Sequence, residues 1–202
     1  MREKSKVREW VEAIAIAVVL ALIIRTFVVQ AFKIPSGSME STLLIGDHIL
    51  VNKFIYGTRI PFTDLRIVPL KEPQRGDVVV FIYPVDKKKD FIKRVVGTEG
   101  DTVEIINKKV YINGSPFDSP FAVNDDDNVI PGNMEPRDNY GPVTVPEDSL
   151  FVMGDNRDHS YDSRYWGFVK LKGLKGKAFM IYWSWDKIRH HLRWTRIGSL
   201  IR

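Results

Sequence analysis

Cysteine is absent from the 202-residue chain, which excludes structural disulfides, thiolate nucleophiles, Cys-ligated zinc and iron–sulfur clusters. Histidine is scarce: only His48, His159, His190 and His191 occur, and none sits in a setting typical of the buried imidazole of a catalytic triad. No glycine-rich phosphate loop is present, because the glycines are isolated and none opens a helix as a nucleotide site requires. There is no internal repeat. The formal net charge of +5 is modest, and no recognised nucleic-acid-reading module accompanies the basic residues, so nucleic acid is not an expected partner.

What is present can build a folded core. Apolar residues make up 44% of the chain and include 11 Phe, 5 Trp and 7 Tyr, far from the composition of a disordered chain. Residues 13–24 carry no charge, and if Arg25 is tolerated the apolar run extends through Phe32. As a helix, residues 13–32 would span ~30 Å, the thickness of a bilayer's hydrocarbon core. Arg2, Lys4, Lys6 and Arg8 outnumber Glu3 and Glu9 before the run, which by the positive-inside tendency places residues 1–12 in the cytoplasm and residues 33–202 outside. A cleaved secretory leader starts in the same way, but no small-x-small site follows the apolar core. The expectation is one amino-terminal transmembrane helix.

Beyond it, β-type runs recur at 77–83, 91–96, 102–106, 110–112, 150–153 and 177–183. Gly76-Asp77, Gly100-Asp101 and Asn113-Gly114 punctuate them as turns. The expected fold class is mainly β: a curled or barrel-like antiparallel sheet forming the catalytic domain. Residues 115–148 contain Pro116, Pro120, Pro131, Pro136, Pro142, Pro146 and the triplet Asp125-Asp126-Asp127, and are expected to form a smaller, loop-rich inserted subdomain. The carboxyl end, residues 187–202, holds five Lys and Arg and no acid. With Trp183, Trp185 and Trp194 nearby, it is expected to rest on anionic lipid.

Three stretches carry candidate chemistry. The first, Ile34-Pro35-Ser36-Gly37-Ser38-Met39-Glu40, follows the apolar run, and Gly37 permits a tight turn that presents Ser38 as a nucleophile. In the second, Phe91-Ile92-Lys93-Arg94-Val95-Val96, strand alternation leaves both faces largely apolar. A cation buried there has one escape, loss of its proton, open to lysine and closed to arginine. A pKa lowered from ~10.4 to ~8 would raise the neutral fraction of Lys93 at pH 7 to about 10%, enough for a general base. The third, Gly154 to Gly167, mixes three Asp with two Arg and reads as an ordered bracing loop. Its aspartates lack the alternate-residue spacing of a calcium loop, and no metal or other cofactor is expected. A Ser-His-Asp arrangement using His48 or His159 stays open from the residues alone, as does a non-enzymatic scaffold.

These stretches, in this order, resemble the type I signal peptidases. The nucleophile box of that family is similar to Pro35 through Leu43, its lysine box to Lys93-Arg94-Val95-Val96-Gly97, and its last box to Gly154 through Trp166. Two further stretches match in Gly46-Asp47 and Arg75-Gly76-Asp77-Val78-Val79. The resemblance implies that Ser38 attacks the peptide carbonyl with Lys93 as general base, and that the Ser36 hydroxyl joins the Ser38 backbone N–H in an oxyanion hole. It further implies that Ser160 orients Lys93 and that Asp162 and Arg164 form a supporting ion pair. Substrates would be signal-peptide-bearing pre-proteins at the cytoplasmic membrane, cut on its outer face after small residues at −1 and −3. Ile34 and Ile92 are the candidate pocket walls. Two positions depart from the pattern: Ser41 stands where proline is usual, and His159 where asparagine is common.

Overall fold

The computed structural model describes residues 6–57 and 70–202, apart from the side chains of Ile23, Thr26 and Phe27. Helix α1 covers Lys6–Ile23, one wide π-type turn covers Ile24–Val28, and strand β1 covers Val29–Lys33. This corrects the transmembrane expectation and, with it, the single-pass topology. Among the described residues no helix is long and apolar enough to cross a membrane. The first turns of α1 carry Lys6, Arg8, Glu9 and Glu12, and the helix stops at Ile23, nine residues short of the end of the apolar run. The remainder goes elsewhere for a physical reason. Val29, Gln30, Ala31, Phe32 and Lys33 pair antiparallel with residues 48–52, so the backbone groups of this segment are satisfied by a neighbouring strand, and β-branched Val28 and Val29 suit that choice.

The strands after β1 are β2 (Asp47–Asn52), β3 (Val78–Ile82), β4 (Asp90–Gly97), β5 (Thr102–Ile106), β6 (Lys109–Ile112), β7 (Ser115–Pro116), β8 (Tyr140–Thr144), β9 (Ser149–Met153), β10 (Val169–Lys170), β11 (Leu174–Asp186) and β12 (His191–Leu192). A short helix α2, Ser163–Trp166, lies between β9 and β10. The fold is mainly β, but the sheet is not the curled barrel expected. The large sheet runs β1-β2-β11-β3-β4-β9-β10, with β12 added to β11, and its outer strands β1 and β10 do not pair with each other. Closure fails because β10 offers only two residues, Val169 and Lys170, to β9, too short an edge to continue the ladder. A second sheet, β7-β6-β5-β8, stands apart.

Strand β11 organises the large sheet. Its 13 residues pair with β2 along one edge and β3 along the other, with bulges near Met180 and Trp183. One core beneath the sheet contains Ile34, Met39, Leu43, Ile49, Val51, Val78, Val80 and Ile181. A second contains Val79, Phe81, Val95, Leu150 and Val152. Strand β4 lies between these cores. Every residue from Lys93 to Gly97 is buried, so both faces of the strand are indeed dry, and Lys93 and Arg94 must find partners inside the protein.

The second sheet has its own core of Val103, Ile105, Val110, Ile112 and Phe151. The long connection between β7 and β8 is tied down by ion pairs. Arg137 meets Asp126 at 2.9 Å and Asp138 at 2.8 Å, and Lys108 Nζ donates to the Asp126 carbonyl at 2.7 Å. The backbone N–H of Asn128 and the Arg137 guanidinium hold the Asp126 carboxyl down to about 2. At the carboxyl end, Trp183, Trp185, Ile188, Trp194 and Leu200 are exposed.

Candidate functional site

The chain leaves β1 through Ile34 and Pro35 and folds into a turn in which Glu40 N donates to Gly37 O at 3.0 Å and Leu43 N to Met39 O at 2.8 Å. Met39 and Leu43 are fully buried. They peg this turn into the core and leave the half-buried Ser38, between Gly37 and Met39, on the outside. Gly37 accommodates the folded-back Glu40: a Cβ there would meet the Glu40 carboxyl carbon at 3.0 Å.

Strand β4 brings up the partner. Lys93 Nζ lies 2.6 Å from Ser38 Oγ and donates to its neighbour's carbonyl, Ile92 O, at 3.1 Å. The Phe91 ring centroid is 5.5 Å away, and Lys93 is only 4% exposed. Burial pulls its pKa down to about 8, with Arg164 acting in the same direction and Asp162 and Asp155 opposing. Loss of hydration outweighs the attraction of the two carboxylates, since neither makes a hydrogen bond to the amine.

Neither histidine considered as an alternative base hydrogen-bonds Ser38. His48 stands on β2 with Tyr182 Oη 3.5 Å from its Nδ1. His159 turns to Asp125, 3.2 Å away, and is well exposed.

The third stretch continues from β9. Gly154 has no room for a side chain, since a Cβ would come within 2.3 Å of both Ser38 O and Ser160 Oγ. Its glycine identity thus lets the end of β9 run directly against the nucleophile turn. Asp162 is fully buried, accepts from Gly154 N at 3.0 Å and caps α2 through Arg164 N. Arg164 donates to both Asp162 oxygens at 2.9 Å and to the carbonyls of Arg137 and Arg157 at 2.6 Å. These contacts hold the Asp162 carboxyl below its ordinary range against the opposing effect of burial. Ser160 is buried, and its Oγ leans toward Asp162 without a hydrogen bond of normal geometry. It makes none to Lys93.

An open cavity of about 480 Å³ exposes Ser38 and Lys93 together with Ser36, Glu40, Phe91, Asp125, Asn156, His159 and Tyr161. Ser36 is exposed there. Ile34 is in the core, and half-buried Ile92 packs against the same core; neither faces this cavity. Among the described residues no three acidic or histidine side chains converge on a point suited to a metal ion.

One group of residues behind the site was not picked out from the sequence. Arg94, the neighbour of Lys93 on the opposite face of β4, is 1% exposed. All five of its N–H donors are engaged: two on Asp155 at 2.7 Å each, one each on Gly76 O and Arg202 O at 2.7 Å, and one on Thr42 Oγ1 at 3.3 Å. Thr42 Oγ1 donates in turn to Asp155 at 2.6 Å, and the guanidinium stacks 4.2 Å over Phe121. This brace clamps the nucleophile turn, β4 and the third stretch together. Its only sequence trace is one cation in a dry strand and one acid at position 155, 61 residues apart.

The class this arrangement defines is a β-sheet protein with a serine hydroxyl held against a buried lysine amine. The comparisons with known proteins agree. The family model "Signal peptidase, peptidase S26" matches residues 7–183. Signal peptidase I of Pseudomonas aeruginosa is 37% identical over 90% of this chain and 75% of its own. The probable signal peptidase I-2 of Synechocystis is 41% identical over 93% of this chain and 83% of its own. Signal peptidase I P of Bacillus subtilis subsp. natto is 33% identical over 94% and 96%. The chain belongs to the signal peptidase I family and is a serine endopeptidase of that type acting on pre-proteins.

Proposed function

We propose that peptide cleavage runs through a Ser38–Lys93 dyad. The observation that carries this reading is the 2.6 Å approach of Ser38 Oγ to a buried amine whose pKa is lowered to about 8. A neutral Lys93 accepts the hydroxyl proton as Oγ attacks the scissile carbonyl, then returns it to the leaving amine. The acyl-enzyme forms on Ser38 and is resolved by water, with the same amine as base. Ser36 and the Ser38 backbone N–H are assigned to the developing oxyanion. Asp162 and Arg164, paired and buried, fix the loop that carries Ser160, and Ser160 is assigned to orienting the amine once substrate excludes water. Cutting after small residues at −1 and −3 belongs to the same proposal, without Ile34 and Ile92, which pack in or against the core and do not line the cavity.

The test is to incubate the purified protein with a pre-protein and map the new amino terminus. Cleavage after a small residue by the wild type, and none by Ser38→Ala, is expected. Equal cutting by the variant would reject the dyad.

The exposed indoles of Trp183, Trp185 and Trp194, with exposed Lys187 and Arg189 in the same carboxyl-terminal segment, support lipid contact by the carboxyl end. Binding to phosphatidylglycerol vesicles should weaken when the three indoles are replaced by alanine, and unchanged binding would remove this surface from the account.

A further inference from the structure

The described residues contain three buried side-chain polar atoms without a hydrogen-bond partner, and all three fall within five positions of one loop: Asn156 Oδ1, Arg157 Nη2 and Ser160 Oγ. An unsatisfied buried polar atom typically costs about 1–3 kcal/mol. Such a concentration beside a catalytic cavity is the pattern expected where a ligand completes the hydrogen bonding.

Asn156 is the best placed of the three. It is 7% exposed, yet it lines the same cavity as Ser38 and Lys93. Its backbone is fixed from both sides. Asn156 N donates to Ser38 O at 3.3 Å, while the flanking Asp155 O and Arg157 N each bond Val123 at 2.8 Å. Asp155, one residue earlier, is locked by Arg94. Only the carboxamide is left to move, about the soft torsion of its Cβ–Cγ bond.

A carboxamide offers one acceptor and one N–H₂ donor group, the complement of the N–H and C=O of an extended peptide. Resting on the reading of the cavity as the cleavage site, we propose that the Asn156 side chain hydrogen-bonds a backbone amide of the bound substrate next to the scissile bond. Recognition of this kind is blind to side chains. It therefore suits an enzyme that must hold many different sequences in one extended register, and it gives the loop's unsatisfied acceptor a partner only when substrate is present.

The test is a cycle pairing enzyme and substrate variants. Peptides carrying a cleavage sequence are made with single backbone amides from −4 to +2 replaced by esters, sparing the scissile bond. For the wild type, one replacement should lower kcat/KM by about tenfold, the worth of a single hydrogen bond. With Asn156→Ala, which should itself lose about tenfold on the all-amide peptide, that same replacement should cost nothing further. Losses that add at every position would overturn the proposal, as would an unaltered kcat/KM for Asn156→Ala. Should the alanine variant not accumulate, Asn156→Ser enters the same cycle with the same expectation. Ser38→Ala, run beside them, separates the two levels: if it still cuts, the reading of the cavity is wrong, whereas if it is dead and the cycle is additive, only the role of Asn156 fails. Thermal melting supplies a second readout. Removing an unsatisfied acceptor should leave the Tm of Asn156→Ala unchanged or raised. A Tm lowered by several degrees together with additive losses would assign Asn156 a structural role and overturn the proposal.

Discussion

Replacing Lys93 by methionine makes the protein more stable and inactive. Loss of a general base costs about 10²–10⁴-fold in rate, and Lys93→Arg should not restore activity, because guanidinium does not deprotonate. The stability change follows from the same burial. Lys93 has a pKa of about 8 in the fold against 10.5 for the free side chain. Below pH 8 both folded and unfolded chains hold the proton, and the fold bears the full penalty of a dry cation, about 3 kcal/mol. Between pH 8 and 10.5 the unfolded chain binds more protons, so wild-type stability rises with pH, and above 10.5 the penalty is gone. Lys93→Met, close in volume and without charge, is thus expected to gain about 2–3 kcal/mol at pH 7, or roughly 5–10 °C in Tm for a chain of this size, and to show little gain at pH 11. Denaturant titrations at the two pH values check this. A variant less stable than wild type at pH 7 would show that the amine is not held at a cost.

Breaking the brace behind the site has the opposite sign. Asp155→Ala leaves Arg94, 1% exposed, without its carboxylate, and an unpaired buried charge typically costs about 3–5 kcal/mol. Thr42→Val removes two hydrogen bonds to charged groups, the short 2.6 Å one to Asp155 and the longer 3.3 Å one from Arg94, and should cost about 1.5–3 kcal/mol, set mainly by the shorter. Because Asp155 adjoins Asn156, whose N–H holds Ser38 O, activity should fall along with stability. The double variant Arg94→Met/Asp155→Ala should recover much of the loss, since a well-packed apolar replacement often matches a buried ion pair. Urea unfolding of the single and double variants measures the coupling, and additive losses would remove Arg94 and Asp155 as a unit.

The residues assigned to the chemistry in this proposal stand out in the sequence because their signals are local. A glycine-flanked serine and a lysine in a strand apolar on both faces lie within a few positions of their own evidence. Strands β3, β4, β9 and β11 of the main sheet were legible for the same reason, whereas β1, β2, β10 and β12 were not. What failed depended on partners far along the chain. The run from 13 to 32 looks like one helix until β2 is known to be waiting for residues 29–33, because hydropathy does not distinguish a lipid-facing helix from a strand docked on a sheet. The open sheet ends at a two-residue pairing of β9 with β10, too short to leave a pattern. Arg94 drew attention only as a residue unable to lose its charge, since its carboxylate is 61 positions away. The unpartnered Oδ1 of Asn156 has no sequence signature at all, because a missing partner is visible only in three dimensions.

The central claim is that a lysine kept nearly dry serves as the base for Ser38. It is tested most directly by the pH dependence of kcat/KM for a signal-peptide substrate. The account predicts a rate that rises with pH and levels off above an apparent pKa of about 8, as the neutral amine becomes the dominant form. A profile already level by pH 7, or one that rises through the ordinary histidine range near ~6.5, would contradict it.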